Sequence, residues 1–350
     1  MRQAAARELL LDVVKLVPDV GYVPAERVCS CLRQPVPGAA GVEVWRDLRH
    51  QAAHYKQLFV CGSVWSCAVC QSKITEVRRE QLSAAVKAWG GQIALVTVTL
   101  QHKRSDGLSE LLGGLLEAVK KMRQGRRWQA FEERYGLVGT IRALECTYGS
   151  HGFHPHAHYL FFLAPGQDME AFTRELRGLY LPAVAKVGRY ADPKWGIDVR
   201  WADAEIADYV AKWGKEPQWT VAHELAKSAS KAGREHGLSM SELLDAYAVA
   251  GDVEAGRLWR EFALTFKGKK QLVWSHGLRA LLLPDSEEQS DEEIAAATSE
   301  ESVLLATLDL AAWRIVLAND ARYELLEVAS SGDVEEIRKF LALLGVGPPG

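Results

Sequence analysis

The chain has 350 residues, of which 48% are hydrophobic and 25% charged, as expected for a folded protein with room for two or three domains. Its net charge of −3 divides unevenly: residues 285–350 hold 4 basic and 15 acidic residues, so residues 1–284 hold 38 basic and 30 acidic ones, a net of +8. A basic body suits a polyanionic partner such as nucleic acid.

Residues 1–90 are predicted to form an N-terminal region that includes a short amphipathic helix over residues 8–17 and a helix over residues 72–89. Charges interrupt the apolar residues of the first of these helices, and no apolar run approaches the ~18 residues of a membrane span. The sequence therefore predicts a cytoplasmic protein without a membrane partner.

Cysteines cluster in this region, which in a cytosolic protein indicates metal binding rather than disulfides. They are Cys29, Cys31, Cys61, Cys67 and Cys70. The last three follow the pattern Cys-x₅-Cys-x₂-Cys and supply three ligands of a closed tetrahedral site for structural Zn²⁺. Cys29 or Cys31 could supply the fourth ligand, and His54 is a further candidate. Cys146 lies elsewhere in the sequence and is predicted to be a core residue.

Residues 91–215 alternate between β-branched strands and helical stretches, in the order strand, helix, hairpin, helix, strand, helix. This order predicts an α+β domain with an antiparallel sheet. The predicted strands cover residues 93–100, 140–147, 154–163 and 197–201, and the predicted helices cover 108–134, 168–187 and 202–213. The short link over residues 148–153 predicts a hairpin.

The remainder divides into three predicted parts. Residues 216–284 are predicted to be a mostly helical accessory region that binds DNA, with basic side chains around Trp274. Residues 285–302 carry eight acidic residues and no basic one, which indicates a solvated linker. Residues 303–350 are predicted to form a small strand-plus-helix module. The sequence has no P-loop motif for binding a nucleoside triphosphate.

Three histidines alternate at the start of the third predicted strand, at positions 154, 156 and 158. Alternate residues of a strand share a face, so two of these imidazoles can bind one metal ion on a rigid support. Glu145 lies on the preceding strand, and a hairpin would bring its carboxylate near His156 and His158. Two imidazoles and one carboxylate suit Mg²⁺ or Mn²⁺ engaged with a phosphate oxygen. His154 is the alternative third ligand.

Glu205, Tyr209 and Lys212 are spaced to share one face of a predicted helix. A tyrosine with a pKa of about 10 is a poor nucleophile until a cation or a metal stabilises its phenolate. Lys212 could supply that cation, and Glu205 could act as a general base. An ordinary amphipathic helix with an ion pair and a packed tyrosine explains the same pattern.

Together these residues resemble the HUH endonucleases, and in particular the single-tyrosine rolling-circle replication initiators of small bacterial plasmids. The resemblance covers about residues 26–284. It is carried by His156-Ala157-His158, by Glu145 and His154 before them, by Glu205…Tyr209…Lys212, and by the segments 61–74, 95–99 and 266–279.

The resemblance implies a ferredoxin-like core and a tyrosine that attacks a DNA phosphate at the plasmid origin. The attack forms a 5′-phosphotyrosine and frees a 3′-hydroxyl that primes replication. The matching tyrosine is Tyr209, the glutamate of the terminating cleavage matches Glu205, and the metal ligands match His156 and His158. The implied partners are single-stranded origin DNA, a host helicase and a polymerase.

Other functions fit parts of the same pattern. A relaxase or a single-tyrosine transposase would use the same chemistry, although the cysteine segment and the position of Glu205 favour the initiator. A zinc-dependent hydrolase would use the three alternating histidines with a bound water. An origin-binding protein without chemistry would form no covalent adduct with DNA.

Overall fold

The computed structural model describes residues 1–17, 21–201, 237–299 and 301–347. The chain divides into two compact units. The first consists of Met1–Ala5 and Val64–Gln289, and the second of Ala6–Ser63 and Ser290–Gly350. Helix α1 (Arg2–Leu10) opens the chain, and a small antiparallel pair of strands follows it, β1 (Val14–Val17) and β2 (Gly21–Pro24).

The first unit is built on a six-stranded antiparallel sheet. Its strands follow the spatial order β10-β6-β7-β5-β8, and the short strand β9 pairs with β6 in addition. The strands are β5 (Gln92–Val98), β6 (Gly139–Gly149), β7 (Gly152–Leu163), β8 (Ile197–Trp201), β9 (Leu238–Ser239) and β10 (Leu272–Trp274). This sheet confirms the predicted α+β class with antiparallel pairing.

Four of these strands and three helices follow one another as β-α-α-β-β-α-β along the chain. The helices are α3 (Leu108–Met122), α4 (Arg126–Tyr135) and α5 (Met169–Lys186). Strands β6 and β7 form the predicted hairpin, in which Gly149 pairs with Gly152. Gly152 has φ of +94°, and a Cβ there would lie 2.9 Å from Cα of Arg104, so glycine is required at this close approach.

Helices cover both faces of this sheet. On one face Phe161 of β7 packs against Trp128 of α4 and Phe172 of α5. On the other face Leu160 and Phe162 join a core with side chains of α2 (Ala68–Ala88) and α8 (Leu278–Leu282). His154, His156 and His158 lie on this second face together with Leu160 and Phe162, because alternate residues of a strand share a face.

Two further helices complete the first unit, α6 (Met240–Ala250) and α7 (Val253–Phe266). Helix α6 begins with a capping box, in which Ser239 and Glu242 satisfy each other's backbone N–H groups. Glycine in the left-handed conformation ends the helix at Gly251, and Asp252 caps α7 directly afterwards. This turn chemistry makes the two helices neighbours.

The second unit contains a three-stranded antiparallel sheet in the order β11-β3-β4. Its core centres on Trp313, which is fully buried and donates its ring N–H to the carbonyl oxygen of Arg33 at 2.7 Å. The elements of this unit are a 3₁₀ helix (Arg27–Ser30), β3 (Gly41–Asp47), β4 (Ala52–Lys56), α9 (Asp291–Ala296), β11 (Ser302–Asp309), α10 (Leu310–Ala318), α11 (Arg322–Ser330) and α12 (Val334–Leu343).

Several predicted boundaries differ from the structure. Helix α1 ends at Leu10 and Val14–Val17 is a strand, so the helix predicted over residues 8–17 is wrong; β-branched valines at 13, 14 and 17 favour extended backbone. The helix predicted over residues 108–134 is interrupted at Gly125, whose φ is +81°. Within the predicted acidic linker, Ser290 caps helix α9, and Ile294 of that helix is buried.

Pairing between distant segments also redraws the predicted regions. Strand β11 of the predicted C-terminal module hydrogen-bonds along β3 of the N-terminal region, from Ser302 opposite Asp47 to Asp309 opposite Gly41. These segments therefore fold as parts of one unit. Among the described helices, none is both long enough and apolar enough to span a membrane.

Candidate metal centre

The β6–β7 hairpin brings together the three side chains predicted to bind a divalent metal. Glu145 lies directly opposite His156 in the register, and His158 follows on the same face of β7. Nε2 of His158 lies 2.8 Å from Oε2 of Glu145. One possible ligand atom from each of the three residues lies within 4.8 Å of the other two. The hairpin brings Glu145 next to His156, because opposite residues of an antiparallel pair project side by side.

His158 is held at both of its ring nitrogens. Nδ1 lies 2.9 Å from the hydroxyl oxygen of Thr97, the residue opposite His158 on β5. An ionised Glu145 can only accept, so Nε2–H of His158 donates to this carboxylate, and the Thr97 hydroxyl, which can donate or accept, pairs with Nδ1. The imidazole is buried, with 7% of its side chain exposed, whereas 47% of the Glu145 side chain is exposed.

The protonation states of Glu145 and His156 suit metal binding. The hydrogen bond from His158 lowers the pKa of Glu145, which therefore stays ionised. Burial lowers the pKa of His156, and the neighbouring His158 lowers it further, so the His156 imidazole stays neutral. A carboxylate and neutral imidazoles are the protonation states that metal ligands require.

The residues present fit a divalent metal ion. Nδ1 of His156 is buried and has no hydrogen-bond partner among the described residues. A buried polar atom without a partner costs free energy, which a ligand in this position would recover. Two nitrogens and one carboxylate oxygen suit Mn²⁺ or Mg²⁺ with remaining positions for substrate oxygens and water.

His154 lies beside this group without joining it. Its ring centroid is 3.9 Å from that of His156 and 4.6 Å from that of His102. Burial lowers the pKa of His154 to about 3, so its ring is neutral as well. The side chain that lies within reach of both His156 and His158 as a possible third ligand is that of Glu145, whereas His154 is not in this group.

The cysteines of the predicted zinc site belong to both units and are all buried. Cys31 and Cys61 lie in the second unit, where the backbone N–H of Cys61 donates to Sγ of Cys31 at 3.4 Å. Cys67 and Cys70 lie in the first unit, Cys67 directly before α2 and Cys70 in the first turn of that helix. Four thiolates are the donor set of a closed tetrahedral zinc site, and this site stays a prediction from the sequence.

Cys29 and Cys146 have other surroundings. Sγ of Cys29 donates to the carbonyl oxygen of Arg7 at 3.8 Å, and burial raises the pKa of its thiol. Within the second unit, the sulfur that contacts Cys61 is thus that of Cys31. Cys146 is buried in the sheet, which confirms the prediction that it is a core residue.

Three predicted catalytic residues, Glu205, Tyr209 and Lys212, lie outside the described residues. The basic segment near Trp274 contains one residue with a structural role. Arg279 is buried and donates to the hydroxyl of Ser286 and to the carbonyl oxygen of Glu287, so its guanidinium binds protein groups.

The sequence did not predict two side chains as members of this centre. Thr97 was predicted to lie in a strand and in the segment 95–99 that carries the resemblance, but no contact with the histidines was predicted for it. His102 gave no local signal. Its ring reaches His154 because the chain after β5 continues alongside the start of β7, and such an approach depends on tertiary pairing.

Comparison with known proteins adds an independent finding. Over 291 residues the chain is 25% identical to Protein rep of Streptomyces lividans, and the match covers 64% of each protein. Over 166 residues it is 26% identical to Neomycin resistance protein of Streptomyces cyanogenus, which covers 39% of this chain and 38% of that protein. No family model matches. No solved structure matches. The chain therefore spans 64% of the length of the Rep protein that it resembles.

Proposed function

We propose that this protein is a Rep-type plasmid replication initiator that nicks and joins single-stranded DNA at the plasmid origin in the cytoplasm. The observation that carries the proposal is the convergence of Glu145, His156 and His158 on adjacent strands of the sheet. The similarity to Protein rep of Streptomyces lividans supports replication as the process. It favours an initiator over a zinc-dependent hydrolase built from the same histidines.

The fold supports this chemistry as well. The core follows a β-α-α-β-β-α-β order in an antiparallel sheet, which is the β-α-β-β-α-β order of a ferredoxin-like domain with one additional helix after the first strand. The metal ligands stand on β6 and β7, in the interior of the sheet, where neighbouring strands fix their positions. A rigid support of this kind suits a site that must hold a phosphate in one orientation.

In the proposed reaction the Tyr209 oxygen forms a bond to phosphorus and the bond from phosphorus to the 3′ oxygen breaks. The products are a 5′-phosphotyrosine and a 3′-hydroxyl, which takes up a proton. A divalent ion bound by Glu145, His156 and His158 would polarise the phosphate and stabilise charge on its oxygens. Lys212 would stabilise the phenolate before attack.

Joining reverses these bond changes. A 3′-hydroxyl attacks the phosphotyrosine, the new phosphodiester forms, and the Tyr209 oxygen leaves. Glu205 would act as the general base that activates a water for the terminating cleavage. A host helicase would unwind the DNA, since this sequence carries no P-loop of its own, and a host polymerase would extend the freed 3′ end.

The test is a covalent adduct. Full-length protein is incubated with Mn²⁺ and single-stranded oligonucleotides from the neighbouring plasmid origin, and denaturing gels reveal any protein–DNA linkage. We expect an adduct with the wild type, none with Tyr209→Phe, and accumulation with Glu205→Ala. Tyr148→Phe serves as the matched control and should form the adduct normally. Peptide mapping that places the DNA on another tyrosine would overturn the assignment.

A further inference from the structure

We propose that the loop between α5 and β8, residues 187–196, is a base-stacking platform for single-stranded DNA that enters the metal centre. The proposal rests on the proposed function and names how the same site holds its substrate. Its ligand is a run of unpaired nucleotides, recognised through base faces and phosphate charge rather than through base sequence.

Two large aromatic rings of this loop are exposed to solvent. Tyr190 is 56% exposed and Trp195 is 70% exposed, although both are large hydrophobic residues. A single exposed apolar side chain needs no explanation, but two aromatic rings within one short loop form a local surface that a planar ligand can cover. Nucleotide bases offer such planar faces, and stacking on them tolerates any base.

The loop is built to hold these rings in place. The Asp192 carboxylate accepts hydrogen bonds from the backbone N–H groups of Lys194 and Trp195, at 2.7 and 3.0 Å. The N–H of Gly196 donates to the Asp192 carbonyl oxygen at 2.7 Å. A Cβ at position 196 would lie 2.7 Å from that same oxygen, so only glycine permits the turn. A backbone fixed in this way lowers the entropy cost of binding.

Backbone hydrogen bonds also tie the loop to the segment that follows β5. The N–H of Gln101 donates to the Tyr190 carbonyl oxygen at 2.9 Å, and the N–H of Thr99 donates to the Gly196 carbonyl oxygen at 3.0 Å. The next residue, His102, stacks its ring against His154 beside the metal ligands. The loop therefore meets the sheet at the end that carries the metal centre.

The separation is short enough for one strand of DNA to reach both places. Strand β8, which begins directly after the loop, lies two strands from β7 in the order β7-β5-β8. Neighbouring strands are about 4.8 Å apart, so the two backbones are about 10 Å apart. A base on the platform and a phosphate at the metal centre would thus belong to the same short stretch of nucleotides.

Charge in this segment complements a phosphate backbone. Residues 186–200 contain four basic residues and two acidic ones, a net of +2. Arg189 and Arg200 pair with carboxylates, whereas Lys186 and Lys194 have no ion pair among the described residues. Nζ of Lys194 lies 4.4 Å from the centroid of the Trp195 ring, so a cation stands beside the stacking surface. This combination favours single-stranded nucleic acid over an acidic protein partner.

The experiment measures binding without chemistry. Full-length protein is titrated into a fluorescein-labelled single-stranded oligo-dT in EDTA at fixed salt, and anisotropy gives the Kd. We expect Trp195→Ala to raise the Kd by about 5- to 150-fold, which corresponds to ~1–3 kcal/mol for one stacked base. Trp195→Phe keeps a stacking ring and should retain most of the affinity. Tyr323→Ala removes another exposed aromatic ring, 72% exposed in the second unit, and should bind like the wild type.

The outcomes separate this inference from the proposed function. Wild-type affinity in Trp195→Ala overturns the platform, whatever the adduct assay shows. Equal losses in Trp195→Ala and Trp195→Phe overturn it too, because stacking would not be the cause. Failure of the wild-type protein to bind oligo-dT would also overturn the platform. Trp195-dependent binding without any adduct supports the platform and counts against the nicking function.

Discussion

The hydroxyl of Thr97 provides the sharpest prediction about the metal centre. Removing it with Thr97→Val should weaken Mn²⁺ binding, because the hydroxyl fixes the ring orientation of His158. In the structure Nδ1 of His158 pairs with this hydroxyl while Nε2 donates to Glu145. An ion that binds Nε2 displaces that proton, and Nδ1–H must then donate, which the Thr97 oxygen can accept.

The size of the effect follows from the burial of the imidazole. His158 is 6% exposed, so water cannot readily replace the lost hydroxyl. Loss of such a supporting hydrogen bond weakens metal binding by about 10- to 100-fold in comparable sites, or ~1.4–2.7 kcal/mol. Valine has the shape of threonine, and therefore the sheet should keep its packing.

Isothermal titration of the metal-free full-length protein with Mn²⁺ measures the affinity directly, and circular dichroism measures the melting temperature. Thr97→Ser restores a hydroxyl and should recover most of the affinity. Thr99→Val is the matched control, since the Thr99 hydroxyl donates to the carbonyl oxygen of Pro155 at 3.2 Å and contacts no metal ligand. Thr99→Val should lower the melting temperature about as much as Thr97→Val does, and it should leave the Mn²⁺ affinity unchanged.

Two results would refute the reasoning. Thr97→Val that binds Mn²⁺ as tightly as the wild type would show that the hydroxyl does not support the ligand. Equal losses of affinity in Thr97→Val and Thr99→Val would assign the effect to general damage of β5 rather than to His158.

Three further predictions concern the ligands, the cysteines and the hairpin. His156→Ala or His158→Ala should abolish metal-dependent nicking while the protein still folds, because neither ring belongs to the apolar core; nicking assays and circular dichroism test this. The double variant Cys67→Ser/Cys70→Ser should lose about one Zn²⁺ per chain and melt at a lower temperature, since structural zinc contributes to folding free energy; elemental analysis and thermal unfolding measure both effects. Gly152→Ala should destabilise the protein by about 1–3 kcal/mol, because alanine is strained at φ of +94° and its Cβ meets the Arg104 backbone; denaturant unfolding measures the change.

Each of these predictions has a control in the same chain. His50→Ala removes an exposed histidine of the second unit and should leave nicking intact. Cys29→Ser should keep the zinc, because the Cys29 sulfur contacts the carbonyl oxygen of Arg7 rather than Cys61. Gly149→Ala should be tolerated, since a Cβ there would meet its nearest neighbour at an ordinary 3.6 Å. Nicking at the wild-type rate in both histidine variants, or unchanged stability of zinc-free protein, would contradict the corresponding assignments.

The sequence determined the local features of the centre. Alternation along a strand puts His154, His156 and His158 on one face, and a short link with glycines at both ends makes a hairpin between β6 and β7. These features depend on neighbours in the chain, so pattern and turn chemistry suffice to predict them. The pairing of Glu145 with the histidines followed directly from the hairpin.

Only the tertiary structure decided which residues from distant segments complete the centre. Whether Glu145 or His154 lies with His156 and His158 depends on how far each side chain reaches across the sheet. Thr97 contacts His158 only because β5 pairs with β7 rather than with β6. Likewise, β11 pairs with β3 although more than half of the chain separates the two strands. Such contacts join segments whose separation along the chain carries no periodic signal, and they are selected by the burial of whole faces rather than by local propensity.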